Sequence, residues 1–299
     1  MASIFLTGST GFVGSAITQE LLHRGHTLFA IPHHHPLDAR ITPIPDHNNH
    51  SLLSTCSAAI HLVGIIAEHP RDGVTFQKVH VDTTRQILSL IQSAGIRRYL
   101  HISALGARPD APSTYHRTKF QAEELVRASN TNWTIFRPSL IHGPRGDFMQ
   151  MESNWARHKS PPYLFMPYFG AGLLGFSGSG KIQPIYIRDL ARAFADAIDN
   201  HTAHHQTYDI AGSRILTWPE MHHIASRLIV GHTRPAVPLP AWFAKLLTRF
   251  MPGSVLPFNR DQVLMSQEDN TCDLTKFRQD FSWEPADFAS TLATYASEL

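Results

Sequence analysis

The sequence predicts an α/β protein: a doubly wound parallel sheet followed by a smaller, mostly helical C-terminal region. Three observations predict it. An apolar run, Ile4-Phe5-Leu6, breaks into a turn with Gly8, Gly11 and Gly14, then into a helical pattern with Ile17, Leu21 and Leu22 on one face. Short continuous apolar runs then alternate with helical stretches, the pattern of parallel strands buried on both faces. Beyond residue 144 the alternation lapses and the pattern turns helical towards the C-terminus.

The first turn is built for a dinucleotide. Gly8 allows a tight turn, Gly11 lets backbone N–H groups approach a pyrophosphate, and Gly14 lets helix and strand pack closely. Thr10, Phe12 and Val13 supply the backbone between them, and the open amides of a helix N-terminus complete an anion site. A second strand over 26–31 ends at Pro32. Its end is where an acidic residue favours NAD and a basic one the 2′-phosphate of NADP. The sequence offers Pro32, His33, His34 and His35 there, with Asp38 and Arg40 further on, so NADP is the preferred cofactor and NAD the alternative.

A short strand and turn over 41–46 and a short helix over 51–56 precede a third strong strand over 58–63, closed by Gly64. The next elements are a helix over 77–93 capped by Gly95, a strand over 97–103, a helix over 114–128 and a strand over 133–137 stopped by Pro138. Residues 145–181 are rich in Gly, Pro, Met and aromatics without a clear period. One more strand and helix follow over 185–200, and a last strand over 207–210. The expected domains are a nucleotide-binding one (1–144 and 183–212) and a smaller substrate or lid domain (145–182 and 213–299).

The chemistry centres on Ser103, Tyr115 and Lys119. Tyr115 and Lys119 are four apart and share a helix face. That places an ammonium where it lowers the tyrosine pKa and still reaches a ribose hydroxyl. Such a tyrosine exchanges a proton with a substrate carbonyl while a nicotinamide exchanges the hydride. Ser103, at the carboxyl end of a strand, is placed to hydrogen-bond the same carbonyl oxygen.

On these motifs, and on Ile60-His-Leu-Val-Gly, His101-Ile-Ser-Ala-Leu-Gly and Trp133-Thr-Ile-Phe-Arg-Pro-Ser139, the chain resembles the short-chain dehydrogenase/reductases of the extended or atypical type, with a Rossmann fold. It is most similar to the branch that groups the NAD(P)-binding accessory subunit of respiratory complex I with free-standing bacterial relatives. The resemblance implies further contacts: Asp46 and His47 near adenine, and Leu62, Val63 and Gly64 near the inner ribose. It places Tyr115 and Lys119 beside the nicotinamide ribose, with Pro138, Ser139 and Ile141 against the carboxamide. His80 stands where many members carry an asparagine that supports the lysine through water. Ser103 also precedes Tyr115 by only twelve residues, a shorter approach than in typical extended enzymes. These departures keep two functions open: an oxidoreductase acting on an apolar carbonyl, alcohol or quinone-like substrate, and a non-catalytic accessory or assembly factor for complex I or ubiquinone synthesis.

In the C-terminal region, residues 241–250 place Trp242, Phe243, Leu246, Leu247 and Phe250 with Lys245 and Arg249 on a predicted helix. A membrane-surface helix and a lid packed on its own domain both fit, and the lid is the simpler expectation, because any half-buried helix shows this pattern.

The totals exclude other classes. A net charge of +2 implies no nucleic-acid field. Two cysteines make no disulfide framework, and with no signal peptide read before the first strand the expected location is cytoplasmic, with the inner face of a membrane as the variant. The 20 histidines lack metal-ligand spacing, so no metal is expected and they are read as surface groups that gain charge towards pH 6.

Overall fold

In the computed structural model, residues 1–32, 37–44, 50–178, 180–250, 256 and 258–299 are described. The chain divides into two compact units.

The first unit comprises Met1–Pro138, Ile187–Ile210 and Thr275–Trp283. It opens with β1 (Ser3–Thr7), α1 (Phe12–His23), β2 (Thr27–Ala30), β3 (Ile41–Pro43), α2 (His50–Leu53) and β4 (Ala58–His61). A π-helical turn over Gln77–Asp82 runs into α3 (Thr83–Ser93), followed by β5 (Arg98–Ile102), α4 (Thr114–Arg127) and β6 (Asn132–Pro138). The main sheet has seven strands in the order β11-β6-β5-β4-β1-β2-β3, where β11 is Gln206–Ile210. Every neighbouring pair is parallel. The strand order reverses beside β1, the place where open α/β sheets bind ligands at the carboxyl ends of their strands.

Burial explains why these runs are strands. Phe5, Ala59, Tyr99, Trp133 and Ile135 share a core with Ile87, Leu88 and Ile91 of α3 and Val126 of α4. On the opposite face Phe136 packs its ring 4.7 Å from Phe194 of α6 (Ile187–Ala197). Near-continuous apolar strands are what burial on both faces demands.

The second unit comprises Ser139–Tyr186, Ala211–Leu274 and Glu284–Leu299. It holds β7 (Ile141–His142), α5 (Asp147–Ala156), β8 (Met166–Gly170), β9 (Lys181–Ile182) and β10 (Ile185–Tyr186). Then come β12 (Leu216–Thr217), α7 (Trp218–Val230), β13 (Ala236–Pro240), α8 (Ala241–Phe250), α9 (Arg260–Met265) and α11 (Phe288–Ala293). The strand and helix expected over 185–200 are β10 and α6, with β10 pairing with β7 rather than joining the main sheet and α6 beginning at Ile187. The stretch 145–181, read as having no clear period, contains α5 and β8. β8 pairs in parallel with β13 from Met166↔Ala236 to Gly170↔Pro240. Helix α10 (Thr275–Phe281) belongs to the first unit, because Phe281 packs its ring 5.1 Å from Tyr208 and 6.0 Å from Phe136.

The histidines correct an expectation. His61, His80, His101, His116, His142 and His222 are buried rather than superficial.

Candidate functional site

The glycine turn separates into positions the fold needs and one it does not. Gly8 has φ +77°, and a Cβ there meets the Leu62 carbonyl carbon at 3.0 Å. At Gly14 a Cβ would sit 1.9 Å from the Gly8 carbonyl oxygen, so only hydrogen fits where α1 crosses the turn. Gly11 is different. Its φ of −70° suits any residue, and its Cβ would meet only the Gly8 oxygen, at an ordinary 3.6 Å. Internal packing gives no reason for glycine at 11, whereas a ligand lying against the backbone does. Gly11 is also the N-cap of α1, with no side-chain cap and no acid in the first turn, so the amides after it, from Phe12 and Val13, have no acceptor within the helix. The residues present fit a bound pyrophosphate.

The second cluster lies at the carboxyl ends of β4 and β5. Ser113 caps α4 by accepting from the His116 N–H at 3.2 Å, which fixes the helix that carries Tyr115 and Lys119. Lys119 is only 4 % exposed, and its Nζ donates to the Ile102 carbonyl at 3.3 Å. The neighbouring Ser103 is buried, its N–H donates to the Phe136 carbonyl at 2.7 Å, and its hydroxyl has no partner. An orphaned buried hydroxyl loses free energy unless something arrives to satisfy it. Gly64 lies over the same spot: a Cβ there would be 3.0 Å from Lys119 Nζ and 3.8 Å from His80 Nε2. Leu62 donates its N–H to the Thr7 carbonyl at 3.1 Å, and Leu62, Val63 and Gly64 thus run from the end of β4 past the glycine turn towards Lys119.

His80 sits in the π-helical turn, an irregularity that recurs at functional sites. The Thr118 hydroxyl lies 3.0 Å from the carbonyls of Thr114 and Tyr115 and 2.9 Å from His80 Nδ1. His80 Nε2 lies against the Ile65 backbone, 3.2 Å from its carbonyl and 3.3 Å from its N–H, so the tautomer sets which of these bonds the ring makes. Burial holds this ring neutral, with its pKa pushed down to about 2. Its edge meets Tyr115, centroids 5.4 Å apart, and Phe76 packs on both.

Electrostatics revise one expectation. Burial raises Tyr115 to about 12 and lowers Lys119 to about 8. The tyrosine is therefore not lowered by the lysine here, because desolvation dominates at both groups and the ammonium is turned to the Ile102 carbonyl.

Two residues that the motifs did not single out complete the cluster. His61 and His101 occupy paired positions on β4 and β5 and stack with centroids 5.5 Å apart. His61 Nδ1 meets Thr7 Oγ1 at 2.6 Å, and both Nε2 atoms are buried without partners. Burial lowers both pKa values, His61 to about 3, with Lys119 adding to the effect. The signal is present in the sequence: a histidine in each of two buried central strands, AAIH and RYLHI.

The remaining expected residues are dispersed. Pro138 ends β6 in the first unit; Ser139 and Ile141 belong to the second, where the Ser139 hydroxyl donates to the Gln183 carbonyl at 2.5 Å. His33, His34, Asp46 and His47 lie outside the described residues. After β2, Asp38 is engaged by Arg40 at 2.8 Å and by the Gln19 amide at 3.1 Å, and Arg40 holds its carboxyl well below the usual range.

The chain is similar to several known proteins. The model of the NAD dependent epimerase/dehydratase family matches residues 4–211. The mitochondrial NADH dehydrogenase [ubiquinone] 1 alpha subcomplex subunit 9 of Arabidopsis thaliana is 27% identical over 290 residues, covering 88% of this chain and 68% of the relative. The Rattus norvegicus protein of the same name is 26% identical over 197 residues, covering 64% of this chain and 48% of its own length. The chain thus spans about half to two thirds of the length of these relatives. Among solved structures, UDP-glucose 4-epimerase from Thermotoga maritima with UDP-glucose has a TM-score of 0.71 at 16% identity, covering 99% of this chain and 98% of that one. A short-chain dehydrogenase/reductase superfamily protein from Agrobacterium tumefaciens with bound NAD has a TM-score of 0.70 at 17% identity, covering 99% and 96%. At these identities the structural likeness is one of fold. The family match, over more than half of the sequence, decides the affiliation: the chain belongs to the NAD dependent epimerase/dehydratase family, the extended short-chain dehydrogenase/reductases.

Proposed function

We propose that the protein binds NADP(H) and transfers a hydride between it and an apolar carbonyl, alcohol or quinone-like substrate. The observation that carries this reading is the buried, unpartnered hydroxyl of Ser103, next in the chain to the Ile102 carbonyl that holds the buried Lys119. When bound, the nicotinamide supplies or accepts the hydride. Ser103 donates to the substrate oxygen and polarises it, and Tyr115 passes the proton. Lys119, at about 8, exchanges a proton near neutral pH and anchors the ribose. The NADP preference rests on the loop after β2, which offers no free carboxylate to repel a 2′-phosphate, since Asp38 is already engaged by Arg40.

A second reading is favoured by the similarity to subunits of NADH dehydrogenase [ubiquinone] and by His80 at the asparagine position. Here the nucleotide is held for structure, and the protein is an accessory or assembly factor for complex I or ubiquinone synthesis.

The test mixes purified protein with NADPH or NADH and follows nicotinamide oxidation with a panel of quinones and ketones. Oxidation with NADPH that falls about 10²–10⁴-fold in Tyr115→Phe is expected, the range that a general acid supplies. Tight binding with no oxidation by any acceptor sinks the enzyme reading in favour of the second. Preference for NADH overturns the cofactor assignment.

A further inference from the structure

Helix α8 is packed with its small residues inward. Ala241 and Ala244 form a buried cluster with Val263 of α9, and Phe169 and Phe258 lie against it. The large residues point the other way: Trp242 is 48% exposed, Phe243 44%, Leu246 45% and Phe250 74%. A lid packed on its own domain normally buries its largest apolar side chains. This helix does rest on its own unit, but through alanines, so the expected lid explains only its inner face.

A second apolar element joins the outer face. Trp242 Nε1 donates to the Leu173 carbonyl at 3.1 Å, tying α8 to residues 171–178. That loop is closed by an Ala171↔Ser177 bridge, with Gly172 and Gly175 at positive φ. At Gly170 a Cβ would lie 1.7 Å from the Gly175 carbonyl oxygen, so the turn is tight. It holds Leu173, Leu174 and Phe176 outward, all exposed. Apolar surface this concentrated marks an interaction site on a soluble protein.

Charge selects the occupant. Lys245, Arg249 and Arg260, with Trp242, Leu246 and Thr248, line a recess of about 500 Å³ beside the apolar face. Among the described residues none of the three cations pairs with a carboxylate, and neither α8 nor residues 171–178 contain an acidic residue. A second copy docked by two-fold symmetry would bring these cations together. An anionic bilayer surface accepts both halves of the pattern: aromatic and aliphatic side chains enter the headgroup region while Lys and Arg meet lipid phosphates. No described helix is long and apolar enough to cross a membrane. We propose that α8 and the 171–178 loop form a peripheral docking surface for an anionic phospholipid bilayer.

The test is flotation of the full chain with vesicles, without nucleotide, so its failure leaves the hydride-transfer reading standing. Binding is expected to phosphatidylcholine vesicles containing about one third phosphatidylglycerol, weakening with salt, and not to phosphatidylcholine alone. The Lys245→Glu/Arg249→Glu double variant should partition at least about thirty-fold more weakly, since each lost cation removes about 1 kcal/mol near such a surface. Leu173→Ser/Phe176→Ser should also lose binding while keeping the wild-type thermal midpoint. Absence of binding by the wild type at low salt overturns the proposal. So does wild-type flotation by both double variants, or sedimentation analysis showing that these residues hold a dimer.

Discussion

Helices α4 and α8 place their residues against the usual gradient of burial, in opposite senses. On α4, Lys119 and Glu123 point inward and are buried. On α8 the buried residues are alanines, while Trp242, Phe243 and Phe250 meet solvent. Burying charge costs free energy in the folded chain, whereas exposing apolar surface mainly forgoes stabilisation that burial would have supplied. The first pattern therefore needs an internal compensation or a function, and the second needs only an external partner.

The largest expected effect separates the two charges on α4. Glu123 accepts from Arg137 Nε at 2.7 Å and Nη2 at 2.6 Å, and from Arg127 Nη2 at 2.6 Å. Its charge is compensated on the spot, tying α4 to β6. Glu123→Ala leaves Arg137 only the longer contact to Asp209, at 3.8 Å, and should lower unfolding free energy by about 3–5 kcal/mol in urea titrations. A loss below about 1 kcal/mol would show that the buried carboxylate is not what fixes α4.

Lys119 should do the reverse. Its folded pKa of about 8 lies below the ordinary 10.5, with burial as the main cause. Between those values the unfolded chain holds a proton that the folded chain has lost, so stability from this group rises with pH. Below about 8 the full cost stands, on the order of 3 kcal/mol. Lys119→Met should therefore raise the stability of the nucleotide-free protein by about 1–3 kcal/mol while removing turnover. If this variant is less stable than wild type, Lys119 is a structural residue and the comparison with α8 fails.

The smallest effect belongs to α8. The substitutions that abolish vesicle binding should move unfolding free energy by no more than about 0.5 kcal/mol, the usual scale for exposed positions. A larger loss would mean that the outer face is covered within the protein.

How far the sequence could be read follows the same contrast. The strands of the main sheet are legible because continuous apolar runs such as Ile4-Phe5-Leu6 have no amphipathic alternative, and the glycine turn because Gly14 admits nothing else. The Tyr115–Lys119 spacing was visible, but the direction of the tyrosine shift was not, since burial is a property of the packed site. In the second unit β8 and β13 carry Pro167, Pro238 and Pro240, residues that argue against strand until the pairing is seen. The π-helical turn that aims His80 leaves no mark in periodicity, and α10 returns to the first unit through Phe277 and Phe281, which nothing local announces.

The buried histidines make the fold a proton sink when it opens. His61 and His142 are held near 3, His80 near 2 and His101 lower still than its ordinary value, each chiefly by burial. Folded values below the ordinary 6.5 mean that the unfolded chain binds more protons as pH falls. The stability from these groups is complete above about pH 6.5 and drains away in acid, at about 1.4 kcal/mol per pH unit for each ring. Four rings together give about 5.5 kcal/mol per unit against a typical total of about 5–15 kcal/mol. Circular dichroism should accordingly show cooperative acid unfolding with a midpoint between about pH 4 and 6, and a fold intact at pH 3 would refute it. Acidification below that midpoint would then take the fold apart through proton uptake alone.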